Sequence, residues 1–313
     1  MTNDKYMERR KFMQQSLLAG GAIITTSNVL ASNKSSDSWD DSTPFHCRYG
    51  IHDGMFNNLA GRDFIDQIKF AYSVGFRAME DNGMMDRTPA EQQKIGDAMA
   101  KLGMDMGVFV INFDNWPLQI SMTSGNKEWK EKFVARCKLA VEVAKRTNTK
   151  YMTVVPGNYD HSLSLDYQLA NVIDTLRRGT EIFEKENLVM VLEPLSDTPE
   201  LFLRRSDQTY ALCKSINSPA CKILFDMYHM QRNQGDMIPN IDRAWDEIGY
   251  YQIGDNPGRN EPGTGEVNYK NIFKHIHQKG YKGVLGMEHG MALAGREGEI
   301  ALIKAYRAAD SFM

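Results

Sequence analysis

The chain has 313 residues, 42% hydrophobic and 25% charged, with Lys+Arg 37 against Asp+Glu 40 and a formal net charge of -3. That composition belongs to a globular protein and excludes a disordered or fibrous one. No basic excess or like-charge block points to nucleic acid, and the length suits one large α/β domain or two small ones.

Residues 1–31 read as a secretory signal. Arg9-Arg10-Lys11-Phe12-Met13 resembles the twin-arginine export motif, a modest apolar run follows from about Leu17 to Thr25, and Val29 and Ala31 fit the small-residue positions before a cleavage point. The plainer alternative is a disordered basic leader. The run is too short to span a bilayer, so no membrane association is expected after cleavage. The expected location is periplasmic or otherwise exported, with the twin-arginine export machinery as a partner. That route carries folded substrates and suits a protein that acquires a metal before crossing. Residues 32–44, SNKSSDSWDDSTP, read as a flexible polar linker.

Beyond the linker, short apolar runs at 48–52, 77–80, 106–111, 151–155, 188–193, 222–226, 250–253 and 283–288 predict strands. Amphipathic stretches near 62–74, 89–102, 127–147, 166–186, 207–216, 240–247, 268–279 and 297–311 predict helices. Eight such βα units predict an α/β fold of the (β/α)8 TIM-barrel type over residues 45–313. The rival, a doubly wound open sheet, lacks its glycine-rich phosphate loop here. Cys47, Cys137, Cys213 and Cys221 form no CxxC pair and no zinc spacing; free thiols are expected, with a Cys213–Cys221 bridge the alternative.

The barrel reading makes a claim about polar groups, because catalytic residues sit at the C-terminal ends of barrel strands. His52, Glu80, Glu193, Asp226 and Glu288 fall at or beside strand ends, and Gln252 lies within the seventh strand. Val189, Val191 and Glu193 share one face of the fifth strand, as do Val284, Gly286 and Glu288 in the eighth. If those rows point inward, the carboxylates converge above the core, where like charges repel and a cation is the natural partner. Glu193, Asp226, Gln252 and Glu288 are the candidate ligands. All offer oxygen, which suits Mg2+ or Mn2+ better than zinc. Taken singly, each is as well explained as a strand-end cap; four on successive strands are not.

Four segments carry a resemblance to a known family: VLEPLS around Glu193, FDMYHMQ from Phe225, YYQIGDNPGRNEPGTGEVNY from Tyr250, and GVLGMEHG from Gly283. With them the chain resembles the xylose isomerase-like TIM-barrel superfamily, closest to its hydroxypyruvate isomerase branch. The resemblance implies that Glu193, Asp226, Gln252 and Glu288 bind a divalent metal and that Glu193 and Glu288 move the proton. It also implies that His229 and Arg259 contact substrate oxygens. The alternative for Arg259 is loop-ordering by a bond to Glu261 or Glu266. Two departures stand out: the export signal, and Asn260 where relatives often carry His. The first half matches no motif, and His52, Glu80 and Asn112 are expected at most to wall the substrate pocket.

The implied reaction is isomerisation of a small hydroxy-carbonyl or carbohydrate substrate through an enediolate. Return of the proton to the adjacent carbon gives aldose–ketose interconversion, and return to the same carbon from the opposite face gives epimerisation. A keto-sugar lyase and a non-catalytic periplasmic sugar-binding protein are the other readings. Exposed barrel helices also leave room for a homo-oligomer.

Overall fold

The computed structural model describes residues 42–116 and 118–313; the expected signal, and all but the last three residues of the expected linker, lie outside the described residues. In the first half, β1 (Arg48–Ile51), α1 (Phe64–Ser73), β2 (Ala78–Met79), α2 (Pro89–Leu102), β3 (Asp105–Met106), β4 (Phe109–Val110), α3 (Lys127–Thr147) and β5 (Tyr151–Val154) follow one another. The second half continues with α4 (Leu165–Glu186), β6 (Val189–Leu192), α5 (Ser206–Ile216), β7 (Cys221–Asp226), α6 (Met227–Asn233), α7 (Met237–Ala244), β8 (Ile248–Gln252), α8 (Tyr269–Gln278), β9 (Val284–Gly286) and α9 (Gly295–Asp310).

The strands pair in parallel in the order β3-β2-β1-β9-β8-β7-β6-β5-β4. The sheet's two ends, β3 and β4, are separated in the chain only by Gly107 and Val108, so the sheet curls round into a barrel. The expected third strand, 106–111, is thus one strand broken in two. A Cβ on Gly107 would lie 2.1 Å from the Tyr250 hydroxyl, so only glycine lets this strand pass the tyrosine that fills the barrel there. Ala78, Val108, Val189, Val191, Leu224, Tyr250 and Val284 form the interior cluster, with Tyr151 packed against it.

Helix limits follow local chemistry. At α2, Thr88 and Glu91 form a capping box, Pro89 opens the first turn, and Gly103 closes the helix at φ 65. Caps of this kind are worth about 1 kcal/mol each, and they explain why the predicted 89–102 is also the observed helix. Asn148, Asn187 and Asn217 end α3, α4 and α5 in the same left-handed conformation. Two helices depart from expectation. The segment predicted at 240–247 is α7 followed by a 3-10 turn over Trp245–Glu247. The seven-residue α6 was not anticipated; it starts at Asp226, whose carboxylate accepts the Tyr228 N–H at 2.8 Å. All four cysteines are buried and free. No helix among the described residues is long and apolar enough to cross a membrane.

Candidate active site

Side-chain alternation builds the site. Val191 of β6, Leu224 of β7 and Tyr250 of β8 point into the core, and two residues on from each come Glu193, Asp226 and Gln252. Val284 of β9 is also interior, and its row continues through Gly286 to Glu288. Asp226 and Gln252 are direct partners across β7 and β8, and Gln252 and Gly286 across β8 and β9. The structure therefore brings the four predicted ligands together over the strand ends.

Their electrostatics are uncompensated. Glu193 is 6% exposed and Asp226 is fully buried. Burial, then Glu288 and Asp226, push the Glu193 carboxyl well above the carboxylate range. Burial likewise raises Asp226 to about 7, against the opposing pull of Arg259. Among the described residues, Arg259 is the cation that pairs with them. Its Nη2 reaches Glu288 Oε2 at 2.9 Å and Asp226 Oδ2 at 3.2 Å, and its Nε donates to the Glu288 backbone carbonyl at 3.1 Å. Burial works against its charge, but Glu288, Asp226 and Glu193 outweigh burial and raise its pKa. The bond to Glu261 or Glu266 that sequence left open is not made. Glu261 accepts from Ala292 N–H and Glu266 from Gln231. Arg259 holds a left-handed φ of 51, which costs a residue with a Cβ about 1–2 kcal/mol. The Asp255 carboxylate maintains the loop by accepting from Gly263, Gly265 and Val267 N–H.

His229 stands beside this cluster, 1% exposed. Its Nε2 is 3.5 Å from Asp226 Oδ2 and 3.8 Å from Glu193 Oε1. One ligand-type atom from each of Glu193, Asp226 and His229 lies within 4.8 Å of the others, which is metal-site spacing. Ser196 N–H donates to Nδ1 at 3.1 Å, and a backbone N–H can only donate. Burial, then Arg259 and Arg232, hold the ring pKa well below its ordinary value, so the ring is neutral. Nδ1 accepts from Ser196, while Nε2 faces Asp226 Oδ2, Glu193 Oε1 and, at 3.3 Å, the Arg259 Nη2 donor, so the ring can serve the site as a hydrogen-bond donor or as a ligand.

The remaining oxygens fit a hard cation. Glu193 Oε1 and Gln252 Oε1 are buried with no hydrogen-bond partner. Three carboxyl groups share one guanidinium, which pairs directly with two of them, and a divalent ion would favour all three in the ionised form.

Sequence reasoning placed His52 and Glu80 as pocket wall. His52 Nε2 pairs with Glu80 Oε1, and Glu80, fully buried, also receives Tyr250 and Gln252. Asn112, just past the end of β4, accepts Asp114 N–H with its side chain in a turn. Two residues were missed. Asn82 donates to Glu288 Oε1, and Ser196 fixes the His229 ring. Neither a loop asparagine nor a serine three places after a strand-end glutamate carries a signal of its own.

Known proteins agree with this architecture. The Xylose isomerase-like TIM barrel family profile matches residues 68–306. Hydroxypyruvate isomerase of Escherichia coli K12 is 28% identical over 232 residues, 72% of this chain and 88% of that protein. The 2-oxo-tetronate isomerase of Cupriavidus necator is 27% identical over 254 residues, 80% of this chain and 95% of that protein. Among solved structures, the 3-keto-D-glucoside 4-epimerase YcjR of E. coli superposes with a TM-score of 0.69 at 15% identity, covering 84% of this chain and 98% of that one. A profile match across most of the barrel, over strands that close as that fold requires, places the chain in the xylose isomerase-like TIM-barrel family.

Proposed function

We propose that the protein is a divalent-metal-dependent isomerase of a small hydroxy-carbonyl or sugar substrate, of the hydroxypyruvate isomerase type. The observation that carries the reading is the pair of orphaned oxygens, Glu193 Oε1 and Gln252 Oε1, buried where the carboxylates converge. The isomerase names of the two relatives support the reaction class. Glu193, Asp226, Gln252 and Glu288 would hold the ion, with Mg2+ or Mn2+ suited to their all-oxygen set. When bound, it would polarise the substrate carbonyl and stabilise negative charge developing on its oxygen.

The chain's own groups then divide the work. Glu288 is fixed at both oxygens, by Asn82 and Arg259, whereas the Glu193 side chain makes no hydrogen bond among the described residues. Glu193 is thus the freer group to take a proton from the carbon between the carbonyl and the hydroxyl, forming an enediolate of the substrate. Either Glu193 returns that proton to the adjacent carbon, or Glu288, once it has taken the substrate's hydroxyl proton, delivers one there while Glu193 passes its own to the former carbonyl oxygen. His229 Nε2–H donates to a substrate oxygen. Arg259 has Nε and Nη2 committed to Glu288 and Asp226, which leaves Nη1 for a substrate carbonyl or carboxylate oxygen.

The test is solvent deuterium uptake into hydroxypyruvate, ketoses and keto-sugars by purified protein with Mn2+ or Mg2+ added. Uptake that disappears in Glu193→Gln and Glu288→Gln supports the reading. Exchange without an aldose–ketose shift indicates epimerisation, and binding without exchange indicates a lyase or a sugar-binding protein. Absence of bound metal after Mn2+ loading overturns the proposal. We further propose export through the twin-arginine route, on the Arg9-Arg10 motif. Cell fractionation that leaves a full-length chain in the cytoplasm would refute it.

A further inference from the structure

Glu80 is a fully buried carboxylate that neither binds the proposed cation nor touches the exterior, yet much of the barrel's upper core is arranged around it. Its Oε2 accepts the Tyr250 hydroxyl at 2.8 Å. Its Oε1 accepts from His52 Nε2 and, at 3.1 Å, from Gln252 Nε2. Two glycines make room. A Cβ on Gly286 would lie 1.9 Å from Glu80 Oε2, and one on Gly107 would lie 3.2 Å from Glu80 Cβ.

The consequence falls on Gln252. An amide has one end that attracts a cation and one that repels it, and nothing in its shape selects between them. Glu80 accepts from the Nε2 end, at 3.1 Å. That turns Gln252 Oε1 away from Glu80, and Oε1 is the buried atom left without a partner. A carboxylate at position 252 would need no such selection, having oxygen at both ends.

We propose that Glu80 is a positioning residue that fixes the Gln252 amide with its oxygen toward the cation site, so that Gln252 is a competent ligand only while Glu80 accepts its NH2. The inference rests on the metal-dependent reading above. Its test is Mn2+ affinity by isothermal titration calorimetry on the full chain, which reads binding and not turnover. Glu80→Gln, nearly isosteric, lets either amide end face the site and is expected to weaken Mn2+ binding by about tenfold, the usual scale for groups that orient a metal ligand. Tyr250→Phe removes a different partner of Glu80 and is expected to leave affinity within about twofold, separating orientation from damage to the network. In Glu80→Gln/Gln252→Glu, the amide introduced at position 80 donates to the carboxylate introduced at 252, and affinity returns to within about threefold of wild type. If Glu80→Gln does not fold, Gly286→Ala, which pushes the Glu80 carboxylate aside without removing it, is expected to show the same weakening. Wild-type affinity in a folded Glu80→Gln or Gly286→Ala protein overturns the positioning role and leaves the metal site standing. So does a double variant weaker than both single ones. A wild-type protein that binds no Mn2+ overturns the metal reading itself, and the positioning role with it.

Discussion

Asp226 gives the sharpest test of the electrostatic argument, because it should weaken the fold it belongs to. It is fully buried, and burial is the main reason its carboxyl moves from 3.8 to about 7 in the metal-free protein. Moving a carboxyl that far is worth about 4 kcal/mol. The sign follows from which state holds the proton. Between those two pH values the folded protein keeps the proton and the unfolded chain releases it. The stability contributed by the neutral carboxyl is therefore complete below pH 3.8 and lost as pH rises to about 7. Asp226→Asn does not titrate and retains the cap on α6, since asparagine caps as well as aspartate. Its stability relative to wild type should thus rise by up to about 4 kcal/mol between pH 4 and pH 7.5. Urea unfolding in the presence of a chelator, at a series of pH values, measures this as a pH-dependent difference in midpoint at constant slope. A difference flat to within about 1 kcal/mol across that range would refute the reasoning. Adding Mn2+ at about 100 times its dissociation constant should restore about 2.7 kcal/mol to wild type and nothing to Asp226→Asn.

Other expectations follow from the same geometry. His229→Gln should lower kcat/KM by about 10- to 100-fold while leaving Mn2+ affinity within about twofold, on the proposal that the ring serves the substrate; a large loss of metal by calorimetry would make it a ligand. Ser196→Ala keeps the backbone N–H on His229 Nδ1 but removes the hydroxyl at 2.8 Å, so a kcat/KM loss of about 2- to 10-fold is expected from steady-state kinetics. Arg259→Lys keeps the charge but not the fork between Asp226 and Glu288, and KM should rise by about tenfold or more. By contrast, removing the exposed Lys69–Asp66 pair with Lys69→Ala should leave the urea-unfolding midpoint unchanged.

The sequence by itself determined most of the strands and helices and the row of oxygen donors, but not the short α6 or the division of the third strand. Period-two alternation in 188–193 and 283–288 put Glu193 and Glu288 on the faces that the barrel turns inward, and the signals around Thr88, Pro89 and Gly103 set α2 to the residue. These are local facts, written within a few neighbouring residues, so reading along the chain recovers them. Tertiary structure decided what each donor touches. Glu80 and Gln252 are 172 positions apart, and Asn82 and Glu288 are 206 apart; only closure of the barrel makes them neighbours. The contacts of the His229 ring come from a backbone N–H in another loop and from Arg259, and Gly107, between β3 and β4, meets a tyrosine arriving from β8. No period or motif encodes such contacts, because they come from strands that meet in space through the curl of the sheet and not through their order in the chain.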